Sequence, residues 1–273
     1  MNNSVLSALL AFIGYSLLNL GQGGQKLGLQ LRSEHPAGGS ALWAGATLAT
    51  MLSFFFVFTA ILVGSVAIAG AMAGTGLVSL AIFSRLFLGE SLDRRGILAM
   101  GTILVAAFLI ALFGRSVEPV VRIFWLYGLL GAGIFLYGGA ILLVGEGALR
   151  GVLIGGLSGF LGAYSQLFQR YGTVGFSLDE GFGALFLRLA SDPVTLFWLG
   201  LSGLSLIVLQ FSYSRAEAIR IVPVFTANFI LVPVLGGVVV FGEALTPLQW
   251  LGVGLMAAGS VVLGRRPSAG SSK

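Results

Sequence analysis

The side chains best suited to chemistry form two matching groups, each at the end of an apolar stretch. They are Gln22, Gln25 and Lys26 in the first group, and Gln166, Gln169 and Arg170 in the second. A spacing of i, i+3 and i+4 places each group on one face of a helix. We expect the glutamines to bind a solute at the two mouths of a path, and the basic residues to gate or couple its movement. The alternative is that the basic side chains are interface anchors.

A second polar set lies in two later apolar stretches and carries no formal charge. Its members are Gln210, Tyr213, Thr226 and Asn228. These groups could bind a partly hydrated cation or a polar organic solute, or they could form hydrogen bonds between helices, worth about 0.6 kcal/mol per pair. Pro223 removes a backbone donor and can free a carbonyl for ion binding, with a packing kink as the alternative.

The acidic residues favour structural roles. Glu217 stands between Arg215 and Arg220, which favours a surface ion pair over a role in coupling. Glu90 and Glu243 follow glycines in turns, where capping of a helix is the favoured interpretation. We expect these acids to stabilise the fold, and among them Glu217 is the candidate for gating or coupling beside Lys26, Arg170 and Pro223.

Composition indicates that the lipid bilayer is the main solvent. The chain is 57% hydrophobic and 9% charged, against about 25% charged in soluble domains. It has no cysteine, and its single histidine, His35, lies in a loop. No acidic pair lies within an apolar stretch, so we expect neither an enzyme nor a cofactor, and any metal ligands are unknown. The net charge of +5 comes from basic residues at the ends of apolar stretches, which disfavours nucleic acid as a partner.

Nine stretches are long and apolar enough to predict membrane-spanning helices, since a span needs roughly 20 residues. They cover residues 4–20, 42–63, 66–88, 96–113, 123–144, 149–168, 194–212, 219–241 and 248–263. The predicted fold class is therefore an all-α, polytopic membrane bundle. Residues 177–191 have helical apolar spacing interrupted by charges, which predicts an interfacial helix; a shortened tenth span is the alternative.

The distribution of basic residues predicts the orientation. With nine spans, most Lys and Arg residues fall on the side of the C-terminus, and only four fall on the other side. Those four are Arg115, Arg122, Arg170 and Arg188. The positive-inside rule then places the C-terminus in the cytoplasm and the N-terminus outside. We expect a multi-pass protein of the plasma or inner membrane. Both a monomer and a homodimer agree with the sequence.

An internal repeat organises the chain. Residues 66–90 align without a gap on residues 219–243, and Gly101 then falls on Gly254. The predicted units are a first transmembrane repeat (1–114), a connector helix (115–148), a second repeat (149–266) and a disordered tail (267–273). An odd connector inverts the second four-helix repeat relative to the first, an architecture common in secondary transporters whose solute site lies between the repeats.

Short motifs carry a family resemblance. Both repeats contain a Gly-Glu turn followed by a glycine-dotted helix, at Gly89-Glu90 and Gly242-Glu243. In this the chain resembles the drug/metabolite transporter superfamily and its EamA-type domains. The four-plus-one-plus-four layout resembles the NIPA-type magnesium transporters, as do several smaller motifs. These are Trp43-Ala44-Gly45, Asp192-Pro193, and Gln210 with Tyr213 ahead of Val222-Pro223.

The resemblance implies a secondary transporter that works by alternating access. The NIPA-like layout implies a magnesium or other divalent-cation permease. The superfamily implies the alternative, an exporter of a small organic metabolite, drug or lipid-linked solute. The expected partners are thus the bilayer and a small solute or cation.

Overall fold

The computed structural model describes residues 3–87, 94–112, 120–174, 187, 191–216 and 218–264, and these residues form α-helices without any strand. The helices are α1 (Asn3–Leu31), α2 (Pro36–Val63), α3 (Val66–Ala71), α4 (Ala73–Phe87), α5 (Arg94–Leu112), α6 (Ile123–Leu143), α7 (Ala148–Thr173), α8 (Pro193–Tyr213), α9 (Ala218–Phe241) and α10 (Pro247–Gly264). The predicted all-α membrane bundle is confirmed. The predicted interfacial helix at 177–191 lies outside the described residues, apart from Leu187 and Ser191.

The helix lengths fit a multi-pass membrane protein. Among the described residues, eight helical segments are long and apolar enough to cross a bilayer, and α3 and α4 together form one of them, Val66–Phe87. A ninth apolar helix, Pro247–Val262, is shorter. Helices suit this solvent because each satisfies its own backbone hydrogen bonds where no water is available.

The third predicted span is interrupted, whereas the sequence predicted one unbroken helix over 66–88. Helix α3 ends at Ala71, and α4 begins after Met72. The Thr75 backbone N–H and hydroxyl both donate to the Met72 carbonyl, at 3.0 and 2.7 Å. This local bonding tightens the chain at Met72, because a hydroxyl competes with the regular helical donors for the carbonyl.

The helices pack as a first half, α1 to α5, and a second half, α7 to α10, joined by α6. In the first half α1 packs along α2 and α4, and in the second half α7 packs along α8 and α9. Between the halves, α3 packs on α9 and α5 packs on α10. These last two pairs join helices that correspond in the predicted repeat, while the inverted arrangement itself stays a prediction.

A left-handed glycine sets the direction of the chain after α9. Gly242 has φ of 65°, and the backbone N–H of Glu243 then donates to the Gly237 carbonyl at 3.0 Å. Residues other than glycine adopt this conformation at a cost of roughly 1–2 kcal/mol. The turn therefore depends on Gly242, and it directs Glu243 back toward the start of α3.

Replacing Gly242 with alanine should lower the free energy of unfolding by about 1 kcal/mol because the turn needs a positive φ. Thermal unfolding of the purified protein in detergent measures the change. Gly254→Ala is the matched control, since a Cβ at that helical position meets nothing within 4 Å. Equal unfolding midpoints for the two variants would contradict the role given to the turn.

Candidate functional site

The second group of polar residues predicted from the sequence lies on one buried face of α7. Gln166, Gln169, Arg170 and Thr173 are 5%, 6%, 9% and 3% exposed. Their spacing places them on a single side of the helix, and the contacts of Gln166 and Arg170 show that this side meets the first half of the protein. We call these four residues the α7 polar face.

Gln166 joins the α7 polar face to α1. The Tyr15 hydroxyl donates to Gln166 Oε1 at 3.2 Å, and Tyr15 is 2% exposed. A Cβ added at Gly70 of α3 would lie 3.6 Å from the same oxygen, so α3 also passes close by. Sequence reasoning missed Tyr15, although it lies seven residues before Gln22 and thus on the same face of α1.

Arg170 holds the end of α2. Its Nη1 atom donates to the carbonyl oxygens of Ile61 and Leu62, at 2.9 and 3.5 Å. Carbonyls in the last turn of a helix have no partner within the helix, and they carry the negative end of the helix dipole. A buried guanidinium is therefore a suitable partner for this terminus.

Glu243 holds the start of α3 in the same way, with the opposite charge. Its carboxylate accepts hydrogen bonds from the Ser65 hydroxyl at 2.5 Å and from the backbone N–H groups of Val66 and Ala67 at 3.1 and 3.0 Å. The capping role predicted for Glu243 is confirmed, but the capped helix belongs to the other half of the protein. The corresponding Glu90 lies outside the described residues.

Arg170 and Glu243 together grip the short connection between α2 and α3, an arrangement we call the α2–α3 clamp. Both residues come from the second half, whereas the backbone they hold comes from the first. Glu243 lies in the turn between α9 and α10, outside the spanning helices. Burial raises the pKa of its carboxyl group, while its hydrogen bonds and the charge of Arg170 act in the opposite direction.

Two donor atoms on the α7 polar face have no hydrogen-bond partner among the described residues. They are Nε2 of Gln169 and Nε of Arg170, and both are buried. An unsatisfied buried donor costs about 1–3 kcal/mol, and natural proteins contain few of them. Arg150, Tyr164, Trp198 and Ser260 each carry one such atom as well, but only Gln169 and Arg170 are neighbours in the chain. This adjacency makes the face a candidate place for hydrogen-bond acceptors to bind.

The first predicted group, on α1, has a different environment. Gln22 is exposed, and Gln25 Nε2 donates to the Thr47 hydroxyl of α2 at 3.1 Å. The side chain of Lys26 lies outside the described part of the chain. Gln25 is thus satisfied within the first half, whereas Gln166 and Arg170 of the α7 group bond from the second half to the first.

The uncharged set on α8 and α9 does not form one cluster of hydrogen bonds. Asn228 accepts from the Tyr137 hydroxyl of α6 at 3.0 Å and donates to the Val224 carbonyl at 2.9 Å. Thr226 is buried, and Gln210 on α8 is exposed. The side chains of Tyr213 and Pro223 lie outside the described part. Asn228 therefore bonds to the connector helix.

Glu217 also lies outside the described residues, so its predicted ion pair is untested. Arg215, one of its expected partners, pairs with Glu146 at 3.1 Å, and Glu146 pairs with Arg150 as well. These groups lie on the surface, where an ion pair contributes roughly 0–1 kcal/mol. They fix the loop after α6 to the end of α8.

Neither metal-binding side chains nor related proteins assign a role to this site. Within the described ranges, no group of three or more His, Asp or Glu side chains is placed to hold a metal ion. No protein-family model, curated protein or solved structure matches the chain.

Proposed function

We propose that the protein is a secondary transporter that moves a small organic solute by alternating access of its two halves. The observation that carries this proposal is the α7 polar face, which is buried between the halves directly beside the α2–α3 clamp. A transporter needs polar groups between its moving parts, together with a contact that closes one side. Residues of α7, together with Glu243 for the clamp, would supply both.

The contacts between the halves support closure at one end of the bundle. At that end the clamp joins residues 61–67 to Arg170 and Glu243, and Gly70 packs against Pro233 further along α3. At the opposite end, Gln22 on α1 and Gln210 on α8 are exposed. These contacts support closure at the clamp end, and access from the opposite end, where α5 and α10 still pack together near Ala99 and Gly259, is part of the proposal.

The charge of the α7 polar face favours an organic solute over magnesium. Arg170 places a positive charge there, and the unpartnered groups are donors. A divalent cation prefers oxygen ligands, carboxylates above all, and is repelled by a guanidinium. Magnesium transport stays the alternative that the family resemblance implies.

The proposed orientation follows from the positive-inside rule. It places the clamp at the outer side of the plasma or inner membrane and the C-terminus in the cytoplasm. The solute would then enter the described conformation from the cytoplasm and leave when the clamp opens. This direction fits an exporter.

Reconstitution in liposomes tests transport directly. Liposomes loaded with a pool of small anionic, neutral and cationic metabolites, and with magnesium, should lose one solute or a few related solutes faster than liposomes without protein. Mass spectrometry measures the organic compounds, and a magnesium-sensitive dye measures the cation. The Arg170→Gln variant should reduce the rate by at least about tenfold, since it removes a buried charged donor.

Arg122→Gln is the matched control for that variant. Arg122 also donates from Nη1 to a backbone carbonyl, that of Val239 at 3.2 Å, but it is exposed and lies outside the α7 polar face. Its flux should equal that of the unmodified protein. Release no faster than from empty liposomes, with folded protein, would overturn the proposal, and selective release of magnesium would favour the alternative.

A further inference from the structure

We infer that the α7 polar face binds an anionic group of the solute, a carboxylate or a phosphate, through Arg170 and Gln169. This inference rests on the proposed transport function and narrows the class of solute. It begins from the two buried atoms, Arg170 Nε and Gln169 Nε2, that lack a hydrogen-bond partner within the described residues.

Both atoms can only donate hydrogen bonds. A guanidinium has five N–H donors and no acceptor, and the nitrogen of a glutamine side chain likewise donates. The matching ligand group must therefore offer acceptor oxygens. Carboxylates and phosphates suit a guanidinium best, because their oxygens accept charge-assisted hydrogen bonds.

The Nε atom of Arg170 is the part of its guanidinium that the protein leaves without a hydrogen bond. The Nη1 atom bonds to neutral carbonyls at the end of α2. The carboxylate of Glu243 acts on Arg170 as a nearby charge, and its three hydrogen bonds come from the start of α3. A bound anion would supply the acceptor that Nε lacks.

The other members of the face fit a binding role next to this group. Gln166 Oε1 accepts from Tyr15, so the glutamine oxygen and the tyrosine hydroxyl lie together between α1 and α7. Gln166 precedes Arg170 by one helical turn, which places this pair beside the guanidinium. It can contact the uncharged body of a solute whose anionic group is bound at Arg170.

Arg170 would then belong to the binding site and to the clamp at once. Nη1 holds the Ile61 and Leu62 carbonyls, whereas Nε is directed to the ligand. An anion that bonds to Nε draws on the same guanidinium that closes the connection between α2 and α3. Occupancy of the site would thereby be linked to closure of the clamp.

Ligand-induced stabilisation of the full-length protein in lipid nanodiscs tests the inference. The probes are matched sets that share a carbon skeleton and differ in the charged group: phenylacetate, phenylacetamide and phenethylammonium, and hexanoate, hexanamide and hexylammonium, with inorganic phosphate and magnesium added. We expect at least one of the carboxylates or phosphate to raise the unfolding temperature, and the amides, the ammonium compounds and magnesium to leave it unchanged.

Substitutions test whether the rise in unfolding temperature depends on the α7 polar face. Gln169→Leu removes one donor and leaves the clamp residues in place, and it should weaken the apparent affinity for the protective anion by about tenfold. Arg170→Gln should abolish protection, Arg170→Lys should restore part of it through charge alone, and Arg122→Gln should leave it unchanged. Gln169→Leu keeps the test decisive if Arg170→Gln fails to fold.

Three results would overturn the inference: protection by no anionic probe, equal protection by the matched amide or ammonium compound, or full anion affinity in Gln169→Leu. The liposome experiment separates this failure from failure of the transport function. Arg170-dependent release of a neutral or cationic solute would refute anion binding while leaving transport intact. Absence of any release would instead refute transport.

Discussion

Replacing Glu243 with alanine should lower the free energy of unfolding by about 3 kcal/mol or more. The substitution leaves the Ser65 hydroxyl and the backbone N–H groups of Val66 and Ala67 without their partner in a buried environment. Each unsatisfied buried donor costs about 1–3 kcal/mol. The start of α3 should also separate from the second half, because the carboxylate makes the hydrogen bonds that hold it there.

Two measurements test the expected effects of Glu243→Ala, the loss of stability and the separation of α3. Thermal unfolding in detergent reports stability, and maleimide labelling of Ala67→Cys reports opening of the clamp. Ala67 is 1% exposed, and the chain has no cysteine of its own, so the introduced thiol is the only target. Labelling should be slow with Glu243 present and at least tenfold faster without it.

Two further variants provide the controls. Glu243→Gln keeps the shape and one acceptor oxygen, so it should fold and label at an intermediate rate. Glu146→Ala removes an exposed carboxylate that also contacts arginines, and it should change stability by less than about 1 kcal/mol. An unfolding midpoint for Glu243→Ala equal to that of Glu146→Ala would refute the clamp.

Replacing Gly159 with alanine should separate α7 from α9 and cost about 1–3 kcal/mol through overpacking. A Cβ at this position would lie 2.6 Å from the carbonyl oxygen and 2.9 Å from the Cα of Phe225. These are backbone atoms, so no side-chain rotation can relieve the contact, and one helix must shift. The shift should lower the unfolding temperature and reduce transport, because α7 carries the polar face.

Gly200→Ala is the matched control for Gly159→Ala. Gly200 lies in α8, also within a spanning helix, and a Cβ there meets nothing within 4 Å. Alanine favours helix more than glycine, so this variant should be unchanged or slightly more stable. If both variants unfold at the same temperature, close packing of α7 on α9 is not what Gly159 provides.

The helices could be predicted from the sequence because a lipid bilayer allows few other backbone structures to cross it. Apolar length identifies a span, since a backbone in lipid must satisfy its own hydrogen bonds. The interruption at Met72 could not be predicted in this way. Apolar length does not register the bond of the Thr75 hydroxyl to the Met72 carbonyl, which lies at the interruption.

The sequence predicted which side of α7 carries the candidate site, but it did not predict which helices that side contacts. Spacing placed Gln166, Gln169 and Arg170 on one side of a helix, as the structure has them. Periodicity cannot identify the neighbouring helix, so the contacts with Tyr15 and Ile61 required the tertiary structure. The same is true of Glu243. Its position in a turn predicted that it caps a helix, but not that the capped helix is α3.

The α2–α3 clamp acts on main-chain atoms, which every residue possesses. Arg170 bonds to carbonyl oxygens and Glu243 bonds mainly to backbone N–H groups, so the side chains of residues 61, 62, 66 and 67 contribute no hydrogen bond to it. The hydrogen bonds of the clamp therefore do not depend on which apolar side chains these positions carry, and it is packing that restricts them, since Ile61, Val66 and Ala67 are buried. Selection for the hydrogen bonds falls on the two charged residues, on Ser65 and on the glycine turn that delivers Glu243.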